Sequence, residues 1–111
     1  MSTESVDALK GKALTLVDLV DYREGSVVSR VVLKQKAGNV SLLAFDAGQE
    51  LSEHTAPFDA MATVLEGDAE ITLAATPIHA TAGQTVIMPA NVPHAVRAVG
   101  RFKMMLTMIK G

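Results

Sequence analysis

The clearest strand and turn signals of this chain lie in residues 83–98, GQTVIMPANVPHAVRA. Thr85 to Met88 form a short apolar run typical of a strand, and Pro89 ends it because proline cannot donate to a strand ladder. Turn-forming residues follow and lead into His94, where a second strand begins. Alternate residues of a strand share a face, so His94 and Val96 point to the same side. The stretch predicts two short strands, the second of which begins with an imidazole.

A second histidine-bearing stretch is GQELSEHTAPFDAMATVLEG, residues 48–67. His54 and Ala56 are two residues apart on an extended segment, so their side chains share a face. Glu53 is adjacent to His54 and is expected to point to the opposite face. Each of the two stretches therefore contributes one imidazole to one face of an extended segment.

Glycines interrupt the chain at intervals of ten to nineteen residues, and the segments between them are rich in Val, Ile, Leu and Thr. Short strands separated by turn signals at this spacing are typical of an all-β sandwich or barrel. Glu66-Gly67 lies between two such segments and predicts a hairpin, with Gly67 providing the positive φ of the turn. The further predicted strands are Val27–Leu33, Val40–Asp46, Ala60–Leu65, Asp68–Leu73 and Phe102–Ile109, the last with Phe102, Met104, Leu106 and Met108 on one face.

The N-terminal residues carry the weakest pattern. Residues 14–20, LTLVDLV, predict an edge strand, and residues 1–13 are expected to be loosely ordered because Gly11 interrupts a helical pattern. A chain of 111 residues builds one core, so a single domain is expected to cover residues 1–111.

The composition excludes several classes of function. The chain has no Cys and only three His, so thiolate catalysis is ruled out and imidazole chemistry must come from His54, His79 and His94. The formal net charge is −2 and there is no Trp, which argues against a nucleic-acid partner. No apolar run reaches the length of a membrane span and no signal-peptide pattern is present, so we expect a cytoplasmic protein without a membrane partner.

The two histidine-bearing stretches resemble the two sequence motifs of the cupin superfamily. The residues that match the first motif and then the second are Gly48, His54, Gly67, Gly83, Pro89 and His94. The resemblance implies a cupin-type jelly-roll barrel, or double-stranded β-helix, whose mouth holds a metal ion and a substrate. It also implies a homodimer, which would cover an edge strand at residues 14–20.

Two of the four metal ligands that the resemblance implies are missing. His54 and His94 remain, whereas the family's second His falls on Ala56 and its Glu falls on Ala60. Asp59, one residue from the Glu position, is our first choice for a third ligand. The other candidates are Glu53, Glu50, Gln49 and Thr63, or water and substrate.

If the two stretches meet as in cupins, the imidazoles face each other in an interior pocket. The residues expected to line this pocket beside them are Ala56, Phe58, Ala60, Met88 and Met104. One hypothesis is a metal-binding cupin in which His54 and His94 hold a divalent ion and a small molecule binds beside it. The alternative is a metal-free barrel that binds or senses a small molecule at a degenerate metal site.

A third hypothesis is metal-free catalysis, with His54 or His94 acting as a general base. No residue in the chain specifies a substrate or decides whether the protein is an enzyme, because this fold hosts many unrelated activities. His79 lies outside both motifs and is expected to be an exposed strand residue without a role. Arg97 is expected on the surface, near enough to the barrel mouth to meet an acidic ligand.

Overall fold

A computed structural model of the chain describes residues 6–110, which form two β-sheets packed face to face. The nine strands in this range are β1 (Val27–Gln35), β2 (Gly38–Phe45), β3 (Glu50–His54), β4 (Ala60–Glu66), β5 (Asp68–Leu73), β6 (Thr76–Thr81), β7 (Thr85–Met88), β8 (His94–Arg97) and β9 (Phe102–Ile109). One sheet has the order β1-β2-β9-β4-β7 and the other the order β3-β8-β5-β6. Every neighbouring pair of strands is antiparallel.

The expected all-β fold is present, and its two sheets form a jelly-roll sandwich. Within residues 6–110 no ladder joins one sheet to the other, so the sheets are not closed into the barrel that the sequence predicted. The chain instead passes between the sheets through short turns. No helix in this range is long and apolar enough to cross a membrane.

The core lies between the two sheets and is anchored by an aromatic pair. Phe45 of β2 and Phe102 of β9 are register partners whose rings stack at a centroid distance of 4.4 Å. Both side chains are fully buried, and such stacking adds about 0.5–1.5 kcal/mol to the stabilisation from burial. The predicted common face of β9 is confirmed, because Met104, Leu106 and Met108 pack into the same core as Phe102.

The predicted hairpin at Gly67 is wrong. β4 pairs with β7 and β9, whereas β5 pairs with β6 and β8, so the two strands that flank Gly67 belong to different sheets. Gly67 has a φ of 73°, and a Cβ at this position would lie 2.5 Å from the carbonyl oxygen of Arg101. A residue without a side chain is therefore needed where the chain turns from one sheet to the other.

The predicted edge strand at residues 14–20 is also wrong, because Leu16–Asp18 is a 3-10 helix. Leu16, Leu19 and Val20 are three and four residues apart, so a helical turn places them together where a strand would separate them. They pack on the outer face of the five-stranded sheet, around Leu42 and Ala44.

The remaining N-terminal prediction concerned residues 1–13. Residues 1–5 lie outside the described range, and Val6–Leu9 forms a 3-10 helix in which Leu9 is buried.

Polar contacts fix this N-terminal segment to the sheet. Tyr22 donates its hydroxyl proton to Oε2 of Glu66 at 2.6 Å, and Lys103 donates from Nζ to the carbonyl oxygen of Val17 at 2.6 Å. Burial and the hydrogen bond to Glu66 raise the pKa of Tyr22, so its hydroxyl remains a neutral donor. The Lys103 ammonium also lies 5.0 Å from the centroid of the Tyr22 ring. Nη1 of Arg30 also donates to the carbonyl oxygen of Leu19 at 3.0 Å, so the segment is held by apolar burial and by these hydrogen bonds.

We predict that Gly67→Ala lowers the free energy of unfolding by at least about 2 kcal/mol, because it adds both backbone strain and a clash with a carbonyl group. Gly48→Ala is the matched control, since Gly48 has a φ of 82° but a Cβ added there would have nothing within 4 Å of it. The control should cost about 1 kcal/mol, the cost of the left-handed conformation alone. Chemical denaturation measures both values, and equal losses would contradict the close approach at Gly67.

Candidate functional site

The two histidines meet across the β3–β8 ladder. His54 ends β3, His94 begins β8, and the two are register partners. Their Nε2 atoms lie 3.1 Å apart, and the ring centroids lie 4.3 Å apart with an angle of 66° between the planes. The prediction that the two imidazoles face each other is confirmed.

A β-bulge in β3 aims His54 at its partner. Leu51 pairs with Val96 and His54 pairs with His94, so three steps along β3 match two steps along β8. In a regular strand Leu51 and His54 would point to opposite faces, because they are three residues apart. The extra residue of the bulge shifts the alternation of side chains by one position, so Leu51 and His54 both line the same interior cavity.

A backbone carbonyl oxygen lies on the far side of each imidazole ring. Nδ1 of His54 lies 2.7 Å from the carbonyl oxygen of Ser52, and Nδ1 of His94 lies 3.3 Å from the carbonyl oxygen of Val92. A carbonyl oxygen only accepts, so each contact is a hydrogen bond when Nδ1 carries the proton, and Nε2 of a neutral ring is then an acceptor. The roles of the ring nitrogens therefore follow from the tautomer of each imidazole.

The contact of 3.1 Å between the two Nε2 atoms is a hydrogen bond when one ring carries its proton on Nε2 and the other ring accepts it. When both rings carry the proton on Nδ1, both Nε2 atoms are acceptors and are available to a cation.

The imidazoles open into an apolar cavity of about 60 Å³ between the sheets. His94 is buried, with 7% of its surface exposed, whereas His54 is exposed at the mouth. The structure places around this cavity all five residues that the sequence predicted as its lining, namely Ala56, Phe58, Ala60, Met88 and Met104. Among the described residues that line it, only the two histidines carry polar side chains.

Asp59 is not brought to the imidazoles. Its Oδ1 accepts a hydrogen bond from the backbone N–H of Ala90 at 2.8 Å, and its carbonyl oxygen accepts one from Ile109 at 3.2 Å. Asp59 thereby ties the loop after β3 to the loop after β7 and to the end of β9. Over residues 6–110 no group of three His, Asp or Glu side chains is placed to hold a metal ion.

The other candidate ligands also lie elsewhere, and Gln49 is not among the described residues that line the interior cavity. Glu50 and Glu53 line a separate groove of about 260 Å³ on the outer face of the four-stranded sheet. Arg97 lines this outer groove too, with Nε 3.5 Å from Oε1 of Glu70, so it is paired away from the interior cavity. Thr63 forms a hydroxyl–hydroxyl hydrogen bond with Thr85 of the neighbouring strand.

His79 is an exposed strand residue of β6, as predicted, and its Nε2 lies 2.6 Å from Oδ2 of Asp68. It contacts neither of the other histidines among the hydrogen bonds and ring contacts of residues 6–110. His79 therefore offers a matched control for substitutions of the imidazole pair.

Sequence reasoning missed four further cavity residues, which are Leu51, Val96, Leu106 and Met108. The alternation along β9 was a usable signal for Leu106 and Met108, because both share a face with Met104. Leu51 had no such signal, since its inward orientation depends on the bulge in β3.

Comparisons with known proteins agree with this geometry. The family model of the cupin domain matches residues 41–110, a range that includes both imidazoles. A search of curated proteins found no match to the chain.

Solved structures give the same fold. The conserved protein SPY1581 of unknown function from Streptococcus pyogenes is 37% identical, with a TM-score of 0.85 over 90% of this chain and 88% of that one. A cupin superfamily protein from Desulfitobacterium hafniense is 28% identical, with a TM-score of 0.86 over 92% of this chain and 94% of the other. A cupin 2 conserved barrel domain protein from Leptotrichia buccalis is 34% identical, with a TM-score of 0.82 over 85% of this chain and 46% of its own.

We predict that Ala56→His increases the affinity for Zn²⁺ at least about tenfold, because it adds a third imidazole to the cavity that His54 and His94 share. Isothermal titration calorimetry measures the change. Thr55→His is the control, because Thr55 is exposed and is not among the residues that line the cavity. An equal gain in both variants would show that the added imidazole acts on the surface and would contradict the assigned geometry.

Proposed function

The chain belongs to the cupin family, and on that premise we propose that it binds a metal ion between His54 and His94 and a small molecule in the apolar remainder of the same cavity. The observation that carries the proposal is the approach of the two Nε2 atoms to 3.1 Å while each Nδ1 lies within hydrogen-bond distance of a carbonyl oxygen. Histidines that bind metals typically donate their other ring N–H in this way, which fixes the tautomer.

The separation of the two nitrogen atoms fits a shared ion. Ligands about 2.0–2.1 Å from one ion are roughly 2.9–3.4 Å apart when they subtend an angle between the octahedral and tetrahedral values. The nitrogen atoms of His54 and His94 fall in this interval without movement of either strand. A bound ion supplies Lewis-acid or redox chemistry at this place.

Apolar side chains form the wall of the cavity beside the imidazoles. Phe58 lies at the cavity wall, and the ammonium of Lys110 lies 5.6 Å from the centroid of its ring. Met88 and Met104 are buried and keep the inner wall apolar. A small, largely apolar molecule therefore fits the cavity, with its polar atoms directed at the imidazoles.

The second candidate is a metal-free site for a small molecule. It is favoured by the lack of a third His, Asp or Glu ligand over the described part of the chain and by the two alanines that enlarge the pocket. In this case the two imidazoles hydrogen-bond the molecule directly, and metal ions have no effect on its binding.

We expect untagged protein to retain about one metal ion per chain after equilibration with metal and gel filtration, and His54→Ala or His94→Ala to lose it. Mass spectrometry of the metal content, tested across zinc, iron, nickel, copper and manganese, gives the result. His79→Ala is the control and should keep the wild-type content, because His79 lies outside the cavity. The metal-free candidate replaces the metal proposal if the wild-type protein binds no more of any metal than the two pair variants do.

We also propose that the protein is a homodimer that pairs along β1. β1 is an edge strand of the five-stranded sheet, and Val31 and Leu33 on it are 40% and 41% exposed. An edge strand of nine residues that exposes two large apolar side chains favours pairing with a second copy.

Light scattering should give about twice the chain mass of 11.7 kDa, and Val31→Lys should shift the protein towards the monomer. Val99→Lys is the control, since Val99 is 70% exposed and lies outside the strands. A wild-type mass of 11.7 kDa at working concentration would contradict the dimer.

A further inference from the structure

Methionine side chains share the cavity with the two imidazoles. Ala60 of β4 pairs with Met88 of β7 on one side and with Met108 of β9 on the other, and all three line the cavity. Directly opposed residues have Cβ atoms roughly 4.5–5.5 Å apart, so two thioether side chains flank the small methyl group of Ala60. The side of the cavity where the resemblance places a Glu ligand therefore holds two sulfur atoms.

The donor atoms around this cavity are electrically neutral. Among the described lining residues, the atoms able to bind a metal through side chains are the nitrogens of His54 and His94 and the sulfurs of Met88, Met104 and Met108. None of these described lining residues carries a carboxylate, so no side chain there offsets the charge of a bound ion. The charge of the ion therefore sets the cost of shielding it from water on the cavity side, while His54 lies at the exposed mouth.

That cost favours an ion of low charge. The Born free energy for transferring an ion into an apolar medium rises with the square of its charge, so burial of a divalent ion costs about four times as much as burial of a monovalent one of equal size. Soft thioether sulfur and imidazole nitrogen together suit monovalent copper, whereas Mn²⁺ and other hard divalent ions prefer oxygen ligands. Both the charge of the ion and the softness of the ligands thus favour monovalent copper.

We infer that the ion of this site is monovalent copper, bound by the two imidazoles and by the thioethers of Met88 and Met108. This inference rests on the proposed metal site at His54 and His94, and it replaces the divalent ion expected from the family resemblance.

The geometry around Ala60 supports the inference. Methionine has three rotatable side-chain bonds and adapts its sulfur position without movement of the backbone. Met88 is 2% exposed, so its sulfur is shielded from water, whereas Met108 is half-buried. The small side chain of Ala60 leaves the space in which two thioethers can turn towards the imidazoles. Ala60, which stands where the family has a glutamate ligand, therefore also leaves space for the sulfur atoms of Met88 and Met108.

The test is an anaerobic titration of the full chain with Cu⁺ in competition with a chromophoric Cu⁺ chelator, beside a calorimetric titration with Zn²⁺. We expect Cu⁺ to bind at least about a hundredfold more tightly than Zn²⁺. The double variant Met88→Leu, Met108→Leu should weaken Cu⁺ at least about tenfold and change the Zn²⁺ affinity by less than about threefold. Leucine keeps the side-chain volume close to that of methionine, and thermal unfolding verifies that the variant is folded.

Met105→Leu is the control, because Met105 is next to Met104 on β9 but packs on the outer face of the sheet. It should leave both affinities unchanged. X-ray absorption at the copper edge gives an independent readout, with sulfur as well as nitrogen scatterers in the wild-type protein and nitrogen alone in the double variant.

The outcomes separate this inference from the proposed function. Tighter binding of Zn²⁺ than of Cu⁺, or copper with nitrogen ligands alone in the wild-type protein, would overturn the copper assignment while the metal site stands. The copper assignment would also be overturned if His54→Ala lost the Cu⁺ site and the methionine double variant kept it. Binding of neither ion above the level of His54→Ala would overturn the metal site, and the copper inference with it.

Discussion

The site depends on the β3–β8 ladder and on the one extra residue in β3. That residue lets Leu51 and His54 face the interior together, although their spacing in a regular strand would separate them. The ladder then makes His54 the register partner of His94 and brings their Nε2 atoms to 3.1 Å. A carbonyl oxygen lies beside Nδ1 of each ring, so a proton on each Nδ1 would leave both Nε2 atoms as acceptors. The contact between the two imidazoles thus follows from backbone register.

The cavity and the core are built by the same strands. β4, β7 and β9 contribute Ala60, Met88 and Met108 side by side, while at the start of β9 Phe102 stacks on Phe45 and both rings are fully buried. The aromatic pair therefore fills the interior at one end of β9, and the cavity lies at the other. Small residues at positions 56 and 60 make the opening, and long, flexible methionines line it. A donor set of this kind is neutral and soft, which is unlike the oxygen-rich sites that suit Mg²⁺ or Mn²⁺.

Local signals were sufficient for part of the fold. The bounds of β7 and β9 were predicted as the structure has them, because Pro89 ends the first and the alternation of apolar residues marks the second. The facing imidazoles were predicted because the spacing in both histidine-bearing stretches matches a known family. Asp59 was predicted as a third metal ligand because it is one residue from the family's glutamate position. Its carboxylate instead accepts a hydrogen bond from the N–H of Ala90. The sequence did not indicate this contact, because it depends on how two distant loops meet. Gly67 was correctly assigned to a turn, but a turn residue does not reveal whether its flanking strands pair with each other, and here they enter different sheets.

The positions of the ring protons on His54 and His94 distinguish a shared metal ion from a direct hydrogen bond between the rings. Long-range proton–nitrogen correlation NMR on ¹⁵N-labelled protein distinguishes Nδ1 from Nε2 in each of the three histidines, and His79 serves as an internal reference. With the metal ion bound, we predict a proton on Nδ1 of both His54 and His94, a shift of both Nε2 signals, and no change at His79. A proton on Nε2 of either His54 or His94 in the loaded protein, or a shift confined to one of them, would contradict a shared ion between the two rings.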